Sequence, residues 1–137
     1  MYIFDIDGTL LNTMDAINYH LNQTFKSYRL GEVPKDKARE FVGNGPRVLI
    51  EKSLEYVNFT GSADLAKEIY NVYNTAYDDN PSYLTKPFDG IKDALDSIKE
   101  SGEIVTAFSN KPDSTSNRVL KEIFGPDYFD YILGYRE

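Results

Sequence analysis

The feature that most restricts this chain is a switch in hydrophobic pattern near Pro87. Beyond it, Ile91, Leu95 and Ile98 recur at helical spacing within residues 89–101, and Gly102 is a natural stop. Residues 103–108 (EIVTAF) then read as a strand, residues 112–124 as a helix with Asp113 as its cap, and residues 129–133 (FDYIL) as another strand. At the N-terminus, Tyr2, Ile3 and Phe4 are apolar and β-prone and run into a turn at Gly8, which predicts one more buried strand. Parallel neighbours cannot be joined by a tight turn, so strands separated by helices imply a parallel sheet with crossover helices. The expected fold class is α/β.

Residues 13–83 break that alternation and read as almost purely helical. Met14, Ile17, Leu21, Phe25 and Tyr28 form one stripe, with Gly31 just past its end. Pro34 opens a short helix ending near Gly43, and Pro46 opens another carrying Val48, Leu49, Ile50 and Leu54. Ser62 is placed as the N-cap of a fourth helix with Leu65, Ile69, Val72 and Ala76 on its apolar face. The predicted organisation is therefore an α/β core from residues 1–12 and 84–137, interrupted by a helical domain over 13–83.

A chain of 137 residues with 41% hydrophobic and 14% aromatic content has the means to build packed cores. Its net charge of −7 disfavours a nucleic-acid binder, which is usually basic. The absence of cysteine excludes disulfides and thiolate metal sites and is compatible with the cytoplasm. No apolar stretch approaches the roughly 20 residues of a membrane span, and the N-terminus has no signal-peptide pattern.

Chemistry concentrates where the first strand ends. Asp5 and Asp7 follow the apolar run two residues apart, and unpartnered carboxylates beside a core are costly. In open parallel sheets, ligands bind beyond the carboxyl ends of the strands. Gly8 permits a tight turn whose amides can approach an anion, with Thr9 beside it. Two adjacent carboxylates repel unless a cation lies between them, and hard oxygen ligands suit Mg²⁺. The bland alternative is a polar turn. A calcium loop fits less well, because the twelfth position from Asp5 is Ala16 rather than Glu.

Ser109, Asn110, Lys111 and Pro112 follow the EIVTAF strand. A hydroxyl and an amide at a strand end leading into a helix can hold phosphate oxygens, or merely cap the helix. In the helical domain, Gly43-Asn44-Gly45-Pro46-Arg47 precedes a helix. Asn44 and Arg47 are candidate substrate contacts there, against an ordinary turn with a solvated arginine. His20 is expected to be structural or exposed, and the tyrosines Tyr70, Tyr73 and Tyr77 to be core and surface of the helical domain rather than a ligand stack.

FDIDGTLLNT, PFDGIKDAL, AFSNKPD and FDYILGYRE together resemble the haloacid dehalogenase-like hydrolases. The likeness is greatest to the phosphoglycolate phosphatase branch, whose helical cap is inserted after the first strand of a Rossmann-like core. The resemblance implies that Asp5 is the nucleophile and Asp7 the general acid/base. It makes Ser109 a phosphate ligand with Asn110 beside it, and the Asp5 carboxylate and Asp7 carbonyl the Mg²⁺ ligands. An acid at position 7 favours phosphoryl transfer, since dehalogenases proper lack one. The implied activity is Mg²⁺-dependent hydrolysis of a small phosphorylated metabolite, a phosphoglycolate-like monoester, through an aspartyl-phosphate. A phosphomutase and a catalytically silent phosphate-binding or assembly module are the alternatives. A cytoplasmic monomer or homodimer with no nucleic-acid or membrane partner is expected.

The family pattern also holds a lysine after its third strand and an acidic pair at the end of a fourth. The sequence stops at GYRE, where the lysine segment would begin, and neither Lys111 nor Arg136 matches that position. The fourth family strand lies beside the first, so the strand carrying Asp5 is expected to be an open edge. The 137 residues are accordingly expected to be part of a longer protein.

Overall fold

The computed structural model describes residues 1–136. In chain order its elements are β1 (Tyr2–Phe4), β2 (Leu11–Asn12), α1 (Met14–Ser27), α2 (Lys35–Phe41), α3 (Pro46–Tyr56), α4 (Ala63–Asp79), β3 (Lys86–Pro87), α5 (Ile91–Glu100), β4 (Val105–Pro112), α6 (Asp113–Phe124) and β5 (Tyr131–Tyr135). They form two compact units. Met1–Thr13 joins with the chain from Pro81 onward, and Met14–Asn80 stands as the other. Thr13 and Pro81–Tyr83 thus go with the α/β unit rather than with the helices.

The α/β unit holds the expected parallel sheet, in the order β1–β4–β5. Ile3 pairs with Thr106, which pairs with Tyr131, and Phe108 pairs with Leu133. Helices α5 and α6 cover one face. Leu95, Val119 and Leu120 pack there with Val105, Ala107 and the fully buried Ile6, Leu10 and Leu11. Side chains alternate along a strand, so the opposite face carries Ile3, Phe108, Tyr131, Leu133 and Tyr135, all exposed. β1 is therefore an edge strand, as expected, but it is not buried: Ile3 is 61% exposed.

Both later strands are displaced from their expected positions. β4 begins at Val105 and runs on through Ser109-Asn110-Lys111-Pro112, where Pro112 pairs with Tyr135 across a register shift. The SNKP segment is thus bulged strand rather than loop. Gly134 makes this possible, because a Cβ there would lie 2.5–2.7 Å from Asp113 Cα, Asp113 N and Lys111 O. Asp113 does not cap α6; its Oδ1 accepts from the Gly134 amide at 2.9 Å. β5 starts at Tyr131 because Asp130 turns back, its carboxylate accepting from the Val105 amide at 2.8 Å. The pairing of β2 with β3 is antiparallel and two residues long, too short to leave a sequence pattern.

The helical unit has its own core, built on Ile17, Leu21, Phe25, Leu49, Ile50, Leu54, Ile69, Tyr73 and Tyr77. Ser62 caps α4 as predicted, its hydroxyl accepting from the Leu65 amide at 3.1 Å. The buried stripe of α4 departs from expectation at Val72, which is exposed, while Tyr73 and Tyr77 lie in the core. His20 is buried against the Tyr77 ring. No helix among the described residues is long and apolar enough to cross a membrane.

Candidate active site

β1 stops at Phe4, and the two aspartates lie in the turn beyond it rather than in extended strand. Ile6 is the pin: it is fully buried, and its carbonyl accepts from the Leu10 and Leu11 amides at 3.1 and 3.0 Å. Asp5 is exposed on one side of it, its Oδ1 accepting from the Ile6 amide at 2.8 Å. Asp7 is half-buried on the other and bridges to Leu11. Gly8 has a φ of 80°, the left-handed turn that favours glycine. The expected anion-facing amides are not available: Gly8 N donates to Leu11 O at 3.0 Å and Thr9 N to Ile6 O at 3.3 Å. Gly8 and Thr9 are both exposed, so the Thr9 hydroxyl is the group this turn offers outward.

The end of β4 faces the same turn. Ser109 is buried and its Oγ accepts from the Lys111 amide at 3.1 Å, while Asn110 is exposed. The Lys111 ammonium is carried under the surface to within 3.4 Å of Asp7 Oδ2, with side-chain exposures of 8% for the lysine and 17% for the aspartate. Asp7 Oδ1 is also buried, and it accepts no hydrogen bond from the described residues. The parallel pairing of β1 with β4 thus brings Asp7 and Lys111 together from the carboxyl ends of two neighbouring strands.

Over residues 2–137 the sequence matches the family described as haloacid dehalogenase-like hydrolase. The chain belongs to this family. Among its relatives are phosphoglycolate phosphatases from Aquifex aeolicus, 33% identical over 96% of this chain and 59% of that protein, and from Haemophilus influenzae, 29% identical over 96% of this chain and 60% of that one. A crystal structure described as a predicted phosphoglycolate phosphatase from Haemophilus somnus superposes with a TM-score of 0.91 at 23% identity, over 96% of this chain and 60% of that one. The haloacid dehalogenase-like fold expected from the motifs is therefore present. The chain spans about three-fifths of the length of the curated relatives it matches.

The donors at the β1 turn fit part of a magnesium site. Hard oxygen ligands are the right chemistry, and the Asp5 carboxylate is accessible. Among the described residues no group of three or more acidic, histidine or cysteine side chains gathers to complete a shell. Asn44 and Arg47 belong to the other unit, at the start of α3. Both are exposed, and the Arg47 guanidinium sits 5.7 Å from the Tyr70 ring centroid on α4. Arg47 is therefore stacked on an aromatic face rather than simply solvated. Lys111 is the site residue whose placement the sequence did not disclose. Its position two residues beyond Ser109 was visible, but a four-carbon stem can point to either side of a strand end.

Proposed function

We propose that this haloacid dehalogenase-like chain serves a phosphatase that hydrolyses a small phosphate monoester of the phosphoglycolate kind. The observation that carries the reading is one end of a parallel sheet holding an accessible carboxylate (Asp5), a sheltered one (Asp7), a buried hydroxyl (Ser109) and a buried cation (Lys111). The named activity of the Aquifex and Haemophilus relatives supports it.

In this reading Asp5 is the nucleophile. Its oxygen forms a bond to phosphorus as the ester P–O bond breaks, giving an aspartyl-phosphate. Asp7 delivers its proton to the departing alkoxide. It then takes one from the water that attacks phosphorus, releasing inorganic phosphate and restoring Asp5. The Ser109 hydroxyl donates to a phosphoryl oxygen, with Asn110, Thr9 and the Gly8 turn around it. The Asp5 carboxylate and the Asp7 carbonyl would hold Mg²⁺, which supplies positive charge between an anionic nucleophile and an anionic phosphate. The helical unit is assigned as the cap, with Asn44 and Arg47 selecting the non-reacting end of the substrate. The cysteine-free composition supports a cytoplasmic setting.

The test is turnover of a phosphate monoester by the whole protein. Asp5→Asn should remove essentially all activity, beyond the roughly 10²–10⁴-fold that loss of an acid/base alone produces. Chelation should abolish turnover and Mg²⁺ restore it. Near wild-type activity of Asp5→Asn, or full activity in verified metal-free buffer, would refute the reading.

A further inference from the structure

Lys111 is held in place by three parts of the fold. Its amide donates to Ser109 Oγ at 3.1 Å, and its carbonyl accepts from Ser116 Oγ at 3.3 Å. The same carbonyl lies against Gly134, where any Cβ would come within 2.7 Å of it. The backbone is thus fixed to α6 and β5, and the side chain crosses to the β1 turn. A lysine is rarely so buried unless it is paired. Its anionic neighbour is Asp7, and the pair is sheltered on both sides.

Asp7 depends on that contact. Its Oδ1 is buried and accepts no hydrogen bond from the described residues, and the contact that orients the carboxylate is the ammonium at Oδ2. A carboxylate on a glycine turn with one such tether has its rotamer set by the tether. General acid catalysis demands a carboxyl within hydrogen-bond reach of the leaving oxygen, and a misplacement near 1 Å costs on the order of 10²-fold.

Resting on the proposed phosphatase reading, we propose that Lys111 is a positioning residue for Asp7. It holds the Asp7 carboxylate at the carboxyl end of the sheet, where it meets the leaving-group oxygen. It does not itself bond to the reacting phosphorus. Its contribution therefore scales with how much the leaving group needs a proton.

The experiment compares kcat/KM for an alkyl phosphate, whose alkoxide must be protonated as it leaves, with that for an aryl phosphate, whose phenolate needs no proton. It is run on the whole protein with Mg²⁺. Lys111→Met should lower kcat/KM for the alkyl ester by about 10–100-fold and for the aryl ester by less than about 3-fold, the pattern also expected of Asp7→Asn. Lys111→Arg keeps the charge but moves it. It should show the same asymmetry in smaller measure, and it carries the comparison if Lys111→Met does not fold. Equal losses on both esters, or no loss on either, would overturn the inference. Asp5→Asn runs alongside: activity there sinks the phosphatase reading itself. A dead Asp5→Asn with symmetric Lys111 variants sinks only the role of Lys111.

Discussion

Gly134→Ala is the substitution whose outcome the structure determines most tightly. The added Cβ would stand 2.5 Å from Asp113 Cα and 2.7 Å from both Asp113 N and Lys111 O. All three are backbone atoms of the β4–α6 junction, so none can swing aside as a side-chain tip would. Ordinary contact begins near 3.4 Å. β5 must therefore retreat by close to 0.9 Å, the difference between 3.4 and 2.5. Overpacking of this kind costs about 1–3 kcal/mol, and the stretched hydrogen bond from Gly134 N to Asp113 Oδ1 adds about 1 kcal/mol. Gly134 does not have a positive φ, so the cost is steric rather than conformational. The expected loss is about 2–4 kcal/mol, or roughly 8–16 °C in Tm at about 4 °C per kcal/mol. Gly102→Ala is the control: its φ is 80° and nothing lies within 4 Å of the new Cβ. It should cost only the left-handed strain of about 1 kcal/mol. Paired thermal melts of the two variants decide the matter. A Gly134→Ala protein that melts within about 1 °C of wild type, or no lower than Gly102→Ala, would refute the close approach of β5 to the Lys111–Asp113 backbone.

Ser62→Ala should remove the N-cap of α4 and cost about 1 kcal/mol, measured by urea unfolding; an unchanged midpoint would reject the cap. The Gly134 amide, and after it the Arg136 guanidinium, hold the Asp113 carboxyl below its ordinary value against the opposing effect of burial. The unfolded chain then binds the extra proton first, so this stabilisation is complete above the ordinary value of 3.8 and drains away as pH falls through the lower folded value. Asp113→Asn should therefore be less stable than wild type at neutral pH and flatter in acid, and equal acid slopes in the two proteins would contradict this. The exposed row of Ile3, Phe108, Tyr131, Leu133 and Tyr135, next to the open β1 edge, should make a protein of residues 1–137 alone associate. Light scattering should show a mass above that of the monomer, falling on Leu133→Lys. A monomer at all concentrations would count against the patch.

What the sequence disclosed follows its periodicities. Helix α5 of the α/β unit was legible because Ile91, Leu95 and Ile98 recur at helical spacing and pack on the core. The helix starts at Pro46 and Ser62 were legible because proline and serine act locally. Features set by distant partners were not. Val72 and Tyr73 both lie on plausible stripes of α4; burial went to Ile69, Tyr73 and Tyr77, four residues apart, with His20 from α1 against the last ring. The extension of β4 through SNKP was invisible, since lysine, asparagine and proline are poor strand formers. It needs Tyr135 as a partner and the absent side chain of Gly134. The end of α1 was misread for a related reason: Arg29, not Gly31, takes the left-handed conformation there.

The site shows the same division. The motif spacing located Asp5 and Asp7 at a strand end and the family resemblance gave them separate roles, but neither disclosed their different surroundings. The turn after Phe4, pinned by buried Ile6, gives them opposite environments. Asp5 is open to an approaching phosphate. Asp7 is drawn under the surface to a lysine that arrives from another strand, more than a hundred residues along the chain. A nucleophile has to be reached, whereas a proton carrier has to be held in one place between two steps. The exposures and the Lys111 contact differ between the two carboxylates in the sense the proposed roles require, and they do so through β1–β4 pairing that no local pattern around Asp5 encodes.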